Sequence, residues 1–212
     1  MSLFFSKVFK GFFGFFKRNK KLQMGLYGPP NAGKSTLANQ VIKDILGEDS
    51  EHFFSTSAVA HETRKVEKVE KLELKKDGKT LNFTLIDTPG IATKIDYEDF
   101  VKKGMNKKDA KERAREATQG VIESIKWADN VDAVLVVLDS TLNPYSQVNI
   151  TLIGNLIAKK KKLIIVANKT DLKSSNLEKI KLVFPEYPVV PVSAKTGDGM
   201  DGLYKAIFKE FF

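Results

Sequence analysis

Two continuous apolar runs dominate the hydrophobic pattern of the chain. Residues 131–139 read VDAVLVVLD, and residues 163–167 read LIIVA. A strand without an alternating polar face is typical of a parallel sheet that is covered on both sides. These runs therefore predict two central strands of a parallel sheet.

Shorter runs predict the other strands of the same sheet. Residues 22–27 are strand-like, and residues 189–192 form the last such run. Two further runs end near Leu74 and at Ile86, and they flank an Asp-Gly pair at residues 77–78 that is typical of a tight hairpin turn. The pattern thus predicts six strands, one of them an antiparallel edge strand.

Helical periodicity separates these strands. Between residues 107 and 128, apolar side chains recur at spacings of three and four, and Asn106 is the predicted N-cap with Asp109 in the first turn. The stripe comprises Ala110, Ala114, Ala117, Val121, Ile125 and Ala128. Further helices are predicted over residues 36–46, 145–159, 174–184 and 200–212, the last with Leu203, Ala206, Ile207 and Phe211 inward, whereas residues 47–65 and 91–106 show no clear period. Alternating strands and helices predict an α/β fold with a doubly wound, mostly parallel sheet.

The first 21 residues differ in character from the rest. Residues 3–16 read LFFSKVFKGFFGFF and hold seven of the fifteen phenylalanines. On a helical wheel the phenylalanines and Val8 occupy one half, and lysines and glycines the other, with Leu3 as the exception. This pattern predicts an amphipathic interfacial helix rather than a transmembrane span or a cleaved signal peptide. A helix that docks on the domain itself or on a second copy is the alternative. The chain divides into this N-terminal helix (residues 1–21) and one domain (residues 22–212).

Charge is concentrated in the same N-terminal segment. Residues 1–21 carry six cations and no anion, whereas the other residues carry 29 cations and 26 anions. The net charge of +9 therefore describes the N-terminal end more than the domain. The absence of cysteine excludes disulfides, zinc thiolate sites and thiol catalysis, and two histidines, His52 and His61, are too few for a histidine metal site.

A phosphate-binding loop follows the first predicted strand. Residues 28–35 read GPPNAGKS and fit the pattern G-x-x-x-x-G-K-[ST]. Because a strand precedes this loop and a helix follows it, its backbone N–H groups and the helix N-terminus can converge on an anion. In this pattern Lys34 reaches the β- and γ-phosphates, and the Ser35 hydroxyl binds Mg²⁺.

Three further motifs also follow predicted strands. They are DTPG at residues 87–90, NKTD at residues 168–171 and SAK at residues 193–195. A carboxylate at Asp171 can accept hydrogen bonds from guanine N1–H and N2–H₂, which adenine does not offer. Adenine would leave a buried acceptor unpaired, at a cost of about 1–3 kcal/mol per group. The motifs therefore favour a guanine nucleotide over an adenine nucleotide.

Thr63 fits a switch threonine and makes a fifth motif. The five motifs in this order resemble the Era-like branch of the translation-factor-related GTPases, and the resemblance covers residues 22–212. It implies a P-loop G domain that hydrolyses GTP. It also implies that Asp87 holds Mg²⁺ through water, that the Gly90 N–H meets the γ-phosphate, and that Thr63 contacts both. An N–H of the SAK segment would meet guanine O6. Era itself carries a KH RNA-binding domain after its G domain, and this chain ends at the last G-domain helix, so RNA binding is not implied. The N-terminal helix is similar to that of Arf-type GTPases.

The resemblance assigns a role to each motif residue. The nucleotide-binding set is Gly28, Asn31, Ala32, Gly33, Lys34, Ser35, Thr36, Asn168, Lys169, Asp171, Ser193, Ala194 and Lys195. The Mg²⁺ set is Ser35, Thr63 and Asp87, and the catalytic set is Asn31, Lys34, Thr63 and Gly90. Ile91 stands where Ras-type enzymes place a water-orienting Gln, so slow intrinsic turnover is expected. Asn31 matches an asparagine that helps bind K⁺ in related potassium-activated GTPases; shaping the loop is the alternative role.

Two functions of different classes are compatible with these features. The first is a GTPase switch that lies in the cytoplasm and binds peripherally to the cytoplasmic face of a membrane. Residues 3–18 would make this contact with the anionic membrane surface. An effector protein would read the nucleotide state. The second is a soluble GTPase that assists ribosome or RNA assembly. A scaffold that dimerises in its nucleotide-bound state is a weaker third hypothesis.

Overall fold

The computed structural model describes residues 21–50, 53–54, 66–91, 97–102 and 104–212. The predicted N-terminal helix, His52, His61 and Thr63 lie outside the described residues. All other predicted elements fall at least partly within them.

Six strands form one sheet in the order β2-β3-β1-β4-β5-β6. The strands are β1 (Leu22–Tyr27), β2 (Glu67–Lys76), β3 (Lys79–Asp87), β4 (Ala133–Asp139), β5 (Lys162–Asn168) and β6 (Val189–Pro191). β2 pairs with β3 antiparallel, and every other neighbouring pair is parallel. The predicted mostly parallel sheet with one antiparallel edge strand is confirmed.

Six helices are present in the described part of the chain. They are α1 (Lys34–Leu46), α2 (Tyr97–Lys102), α3 (Lys107–Trp127), α4 (Gln147–Ala158), α5 (Leu177–Val183) and α6 (Met200–Phe211). The sequence did not predict α2, since six residues are too few to reveal a helical period. None of these helices combines the length and the apolar character that crossing a bilayer requires.

The sheet has an apolar core on each face. Side chains of α1 and α6 pack on one face, and side chains of α3, α4 and α5 pack on the other. Every residue from Ala133 to Leu138 in β4 and from Leu163 to Asn168 in β5 is buried. This double coverage explains why both strands are continuously apolar.

The β2–β3 hairpin turns at the predicted Asp-Gly pair. Asp77 has φ 49° and Gly78 has φ 72°, and two successive residues with positive φ are the signature of a type I′ turn. This turn twists in the same sense as the strands that it joins, so the pair sets the register of the edge strand.

The long helix α3 confirms the predicted N-cap but not the whole apolar stripe. The Asn106 side chain accepts a hydrogen bond from the Asp109 N–H at 3.0 Å. Ile125 was predicted to face inward, but it is 45% exposed, and the neighbouring Ser124 is fully buried. Ser124 Oγ donates to the Pro89 carbonyl at 3.0 Å, and its carbonyl accepts from the Tyr27 hydroxyl at 3.2 Å. These polar contacts determine which face of the helix turns inward. The spacing of apolar residues in the sequence could not predict them.

Candidate nucleotide-binding site

The phosphate loop is held in a shape that requires glycine. Gly33, which precedes α1, has φ +92°, and a Cβ at this position would lie 2.2 Å from Asn168 Nδ2. A Cβ on Gly28 would lie 2.2 Å from the Val137 carbonyl oxygen of β4. Asn31 has φ 60°, a conformation that asparagine tolerates better than most residues. The loop is therefore packed against the C-terminal parts of β4 and β5.

Lys34 is folded back over this loop. Its side-chain nitrogen donates to the Pro29 carbonyl at 3.0 Å and to the Gly28 carbonyl at 3.3 Å. Lys34 is 6% exposed. Burial lowers the pKa of Lys34 to about 8, and the nearby Asp87 carboxylate opposes part of that change. An anion in the loop would favour the charged ammonium in the same way.

Ser35 and Asp87 form the second polar pair of the site. Ser35 Oγ lies 2.5 Å from Asp87 Oδ2. Asp87 is fully buried, and burial raises its pKa to about 6 even though Lys34 and Ser35 oppose that rise.

The oxygen atoms of this pair suit a divalent cation. The other oxygen of Asp87, Oδ1, is buried without a hydrogen-bond partner, which is a costly arrangement unless a ligand satisfies it. No cluster of three or more metal-ligating residues occurs within the described ranges. One carboxylate and one hydroxyl fit Mg²⁺, which is commonly held by one or two carboxylates together with substrate phosphates.

The DTPG segment closes against the phosphate loop. A Cβ on Gly90 would lie 2.7 Å from Pro30 Cα. The Ile91 N–H donates to the Gly28 carbonyl at 3.0 Å, and the Thr88 hydroxyl donates to the Leu26 carbonyl at 2.6 Å. Ile91 is 9% exposed and packs in the core beneath α3 and α4. The structure thus places Gly90 beside the loop and directs the Ile91 side chain away from it.

Asn168 joins the phosphate loop to the SAK segment. Its Nδ2 donates to the Ala32 carbonyl at 2.8 Å, and its Oδ1 accepts from the Ala194 N–H at 2.9 Å. Asn168 is 2% exposed. The Asn168 side chain therefore bridges the phosphate loop and the SAK segment.

A cavity of about 430 Å³ opens beside Asn168. Its lining residues are Gly33, Thr36, Asn168, Lys169, Asp171, Leu172, Ala194 and Lys195. Asp171 lies at this cavity, where its Oδ1 accepts from the Ser193 hydroxyl at 2.8 Å. Ser193 is itself fully buried, so the hydroxyl is fixed and holds the carboxylate in place. Seven of the eight lining residues belong to the predicted nucleotide-binding set.

The sequence motifs did not predict Asp139 or Leu172. Asp139 ends β4 beside Asn168 in the register of the sheet, and its Oδ2 lies 2.5 Å from the Lys169 side-chain nitrogen. Asp139 Oδ1 accepts from the Thr141 N–H and hydroxyl at 2.9 and 2.6 Å. These hydrogen bonds and the Lys169 ammonium lower the pKa of Asp139 despite its partial burial. Asp139 thereby anchors the ammonium of Lys169, whose side chain lines the cavity. Its place at the end of a buried strand was the signal available in the sequence.

A phosphate loop, a DTPG segment and an NKTD segment at the C-terminal ends of β1, β3 and β5 define a P-loop GTPase domain. The family described as 50S ribosome-binding GTPase matches residues 23–169 of this chain. The chain therefore belongs to the 50S ribosome-binding GTPase family.

GTPase Der and Era are among the known proteins that resemble the chain. GTPase Der of Ruegeria sp. (strain TM1040) is 30% identical over 200 residues, which cover 90% of this chain and 35% of the Der protein. The chain thus spans about a third of the length of this relative. The crystal structure of Aquifex aeolicus Era bound to GDP and AlF₄⁻ superposes with a TM-score of 0.64 at 23% identity, covering 89% of this chain and 56% of that chain. The crystal structure of Era with MgGDPNP and a segment of 16S ribosomal RNA gives a TM-score of 0.65 at 22% identity, with the same coverages of 89% and 56%. At these identities the likeness to solved structures shows the fold.

Proposed function

We propose that the protein is a molecular switch that binds and hydrolyses GTP. The observation that carries this proposal is the double contact of Asn168, which links the phosphate loop at Ala32 to the SAK segment at Ala194. A phosphate cradle and a base pocket would thereby be held together in one site. Release of phosphate from GTP, with no comparable release from ATP, is the expected result of a turnover assay.

The roles follow the position of each group. The phosphate loop and Lys34 would hold the phosphates. Asp171 would accept hydrogen bonds from the guanine base, and Ser193 would orient the Asp171 carboxylate. Asn168, Lys169, Thr36, Ala194 and Lys195 would enclose the base. Ser35 and Asp87 would hold Mg²⁺, which supplies neutralisation of the phosphate charge when bound. Thr63 stays a predicted member of this set, outside the described residues.

The switching element would be the DTPG segment. Gly90 lies against Pro30 of the phosphate loop, so a γ-phosphate in that loop has a neighbouring N–H to bind. Pro89 is tied to α3 through the Ser124 hydroxyl at 3.0 Å. A shift of this segment on hydrolysis would therefore be transmitted to α3, where an effector protein can read it.

Slow intrinsic hydrolysis is expected because Ile91 is buried and cannot orient a water molecule. Turnover would rise if a cation completed the site, since positive charge neutralises the charge that develops on the phosphates. If Asn31 helps bind K⁺, phosphate release should be faster in K⁺ than in Na⁺, and Asn31→Ala should remove the difference.

The left-handed conformation of Asn31 gives the competing explanation that the residue only shapes the loop. Equal turnover in the two salts, with Asn31→Ala indistinguishable from the unchanged protein, would exclude the K⁺ role. Asn143→Ala is a useful control, because that side chain accepts from the Tyr145 N–H at 3.2 Å in an exposed loop after β4.

We also propose that residues 3–18 recruit the protein to the cytoplasmic face of a membrane. Burying one phenylalanine contributes about 1.5–3 kcal/mol, and each cation near an anionic surface adds about 1 kcal/mol. Ordering the segment costs about 1–2 kcal/mol per residue, so binding should be reversible. The full chain is expected to sediment with anionic vesicles and to do so less at high salt. Removal of residues 1–17 should abolish this while nucleotide binding persists.

The paired substitution Phe9→Glu and Phe12→Glu tests the apolar face within the full chain. If the truncated chain binds vesicles as well as the full chain, or if these two changes have no effect, the segment is a packing element and the recruitment proposal fails.

A soluble role in ribosome or RNA assembly is the second candidate. It is favoured by the family description, which names 50S ribosome binding, and by the Era structure that contains 16S ribosomal RNA. Salt-dependent RNA binding without vesicle binding would favour this candidate over membrane recruitment. A third possibility, a nucleotide-dependent dimer, is testable by light scattering with a non-hydrolysable GTP analogue.

A further inference from the structure

A group of lysines and phenylalanines lies at the end of the sheet away from the nucleotide site. The β2–β3 hairpin and the last turns of α6 enclose a groove of about 210 Å³. Its lining residues are Lys76, Asp77, Lys79, Lys205, Phe208, Lys209 and Phe212. We call this group the basic groove.

Aromatic rings and ammonium groups are in direct contact in the basic groove. The Lys79 side-chain nitrogen lies 5.3 Å from the centre of the Phe212 ring, which is a cation–π contact. The Phe208 and Phe212 ring centres are 5.6 Å apart. Phe212 is 60% exposed, so an apolar surface and cationic groups face solvent together.

Positive charge remains in excess after the nearby carboxylates are counted. Four lysines line the groove, together with Asp77. Glu210 lies 3.5 Å from the Lys209 side-chain nitrogen and offsets one further charge. An anionic partner would therefore be attracted to this surface.

The groove is close to the point at which the N-terminal segment enters the domain. Leu22 of β1 is in register with Phe83 of β3, and Lys79 is four residues earlier, about 13 Å further along the strand. The end of α6 reaches the same end of the sheet, because the Lys162 side chain at the start of β5 donates to the Glu210 carbonyl at 3.1 Å. Phe16 is six positions before Leu22, a span of at most about 20 Å.

Like charge argues against the N-terminal segment as the occupant of the groove. Residues 1–21 carry six cations and no anion, so they would be repelled by the four lysines. A single anionic surface can bind both the N-terminal segment and the basic groove, because it attracts the cations of both from the same side.

We propose that the basic groove is a second membrane contact, which binds anionic lipid headgroups beside residues 3–18. This inference rests on the proposed membrane recruitment and adds an orientation to it. The sheet end that carries the hairpin would face the bilayer, and the nucleotide site at the opposite strand ends would face the cytoplasm. An effector could then still reach α3, the element at which we propose that it reads the nucleotide state.

The test is vesicle sedimentation with the full chain at two lipid compositions, phosphatidylcholine alone and phosphatidylcholine with phosphatidylglycerol. The groove variant replaces Lys76, Lys79, Lys205 and Lys209 by Gln. The matched control replaces four exposed lysines on the other sheet face by Gln, at Lys107, Lys108, Lys111 and Lys179. Lys111 lies 5.4 Å from the Tyr97 ring centre and so reproduces the cation–π contact of Lys79. Both variants lose the same net charge.

The groove variant should bind the anionic vesicles at least about 10-fold more weakly than the control variant, as expected when several cations leave a charged surface. The two variants should not differ on phosphatidylcholine alone. Nucleotide affinity should be unchanged in both.

Three results would overturn the proposal. Equal binding of the two variants to anionic vesicles would show that the groove makes no contact, and recruitment by residues 3–18 would still stand. If the unchanged full chain does not sediment with either vesicle, recruitment and the groove contact both fail. If the groove variant loses affinity for a single-stranded RNA but not for the vesicles, the groove is an RNA surface.

Discussion

Asp171→Asn is expected to move the preference of the protein from guanine toward xanthine nucleotides. The Asp171 carboxylate lies at the 430 Å³ cavity and is held by the Ser193 hydroxyl at 2.8 Å. An ionised carboxylate only accepts hydrogen bonds, whereas an amide also donates. The variant would lose acceptors for the guanine N–H groups and gain a donor for the second oxygen of xanthine.

The size of this change follows from the hydrogen bonds involved. A hydrogen bond to a charged group contributes about 1.5–3 kcal/mol, so the loss of one corresponds to roughly 10- to 150-fold in affinity. Titration calorimetry with GDP and xanthosine diphosphate measures both directions. Asp198→Asn is a matched control, because that carboxylate accepts from the Thr196 hydroxyl at 2.6 Å in the neighbouring loop. If the Asp171 variant loses affinity equally for GDP and xanthosine diphosphate, the carboxylate supports the fold and does not recognise the base.

Gly33→Ala is expected to remove nucleotide binding while the domain stays folded. A Cβ would lie 2.2 Å from Asn168 Nδ2, and the backbone has φ +92°. Asn168 would be displaced from both Ala32 and Ala194, so the phosphate cradle and the base pocket would be lost together. Several charge-assisted hydrogen bonds of about 1.5–3 kcal/mol each depend on that cradle, and a loss of more than about 100-fold in affinity is expected.

Gly47→Ala is the control that distinguishes the steric clash at position 33 from the backbone strain of a positive φ. Gly47 ends the same helix with φ 94° and ψ 170°, and a Cβ there meets nothing within 4 Å. The backbone cost at such a position is about 1–3 kcal/mol, so the control should melt at a lower temperature and still bind nucleotide. Retained GDP binding by Gly33→Ala, or its loss in Gly47→Ala, would contradict the account of the loop.

The sequence predicted the sheet well because its strongest signals are physical requirements of the fold. β4 and β5 are buried on both faces and must be apolar throughout, and the hairpin turn requires two residues with positive φ at Asp77 and Gly78. The glycine pattern of the phosphate loop has a related physical basis. Glycine at position 33 is required by a close backbone approach that a Cβ would prevent.

Contacts between distant residues were not predictable from local patterns. The Asp139 carboxylate accepts a hydrogen bond from Lys169, which is 30 positions away in the chain. A carboxylate at the end of a strand does not reveal this partner in the sequence. Ser124 is buried in place of Ile125 because it donates to the Pro89 carbonyl, 35 positions away. Such polar contacts depend on tertiary geometry, which periodicity does not contain.

The central claim is that one site reads guanine and cradles phosphates. Titration calorimetry of the full chain with GTP and with ATP, both in Mg²⁺, tests it most directly. The account predicts that GTP binds at least about 10-fold more tightly than ATP, because adenine would leave the Asp171 acceptor unpaired at about 1–3 kcal/mol per group. Equal affinity for the two nucleotides would contradict it.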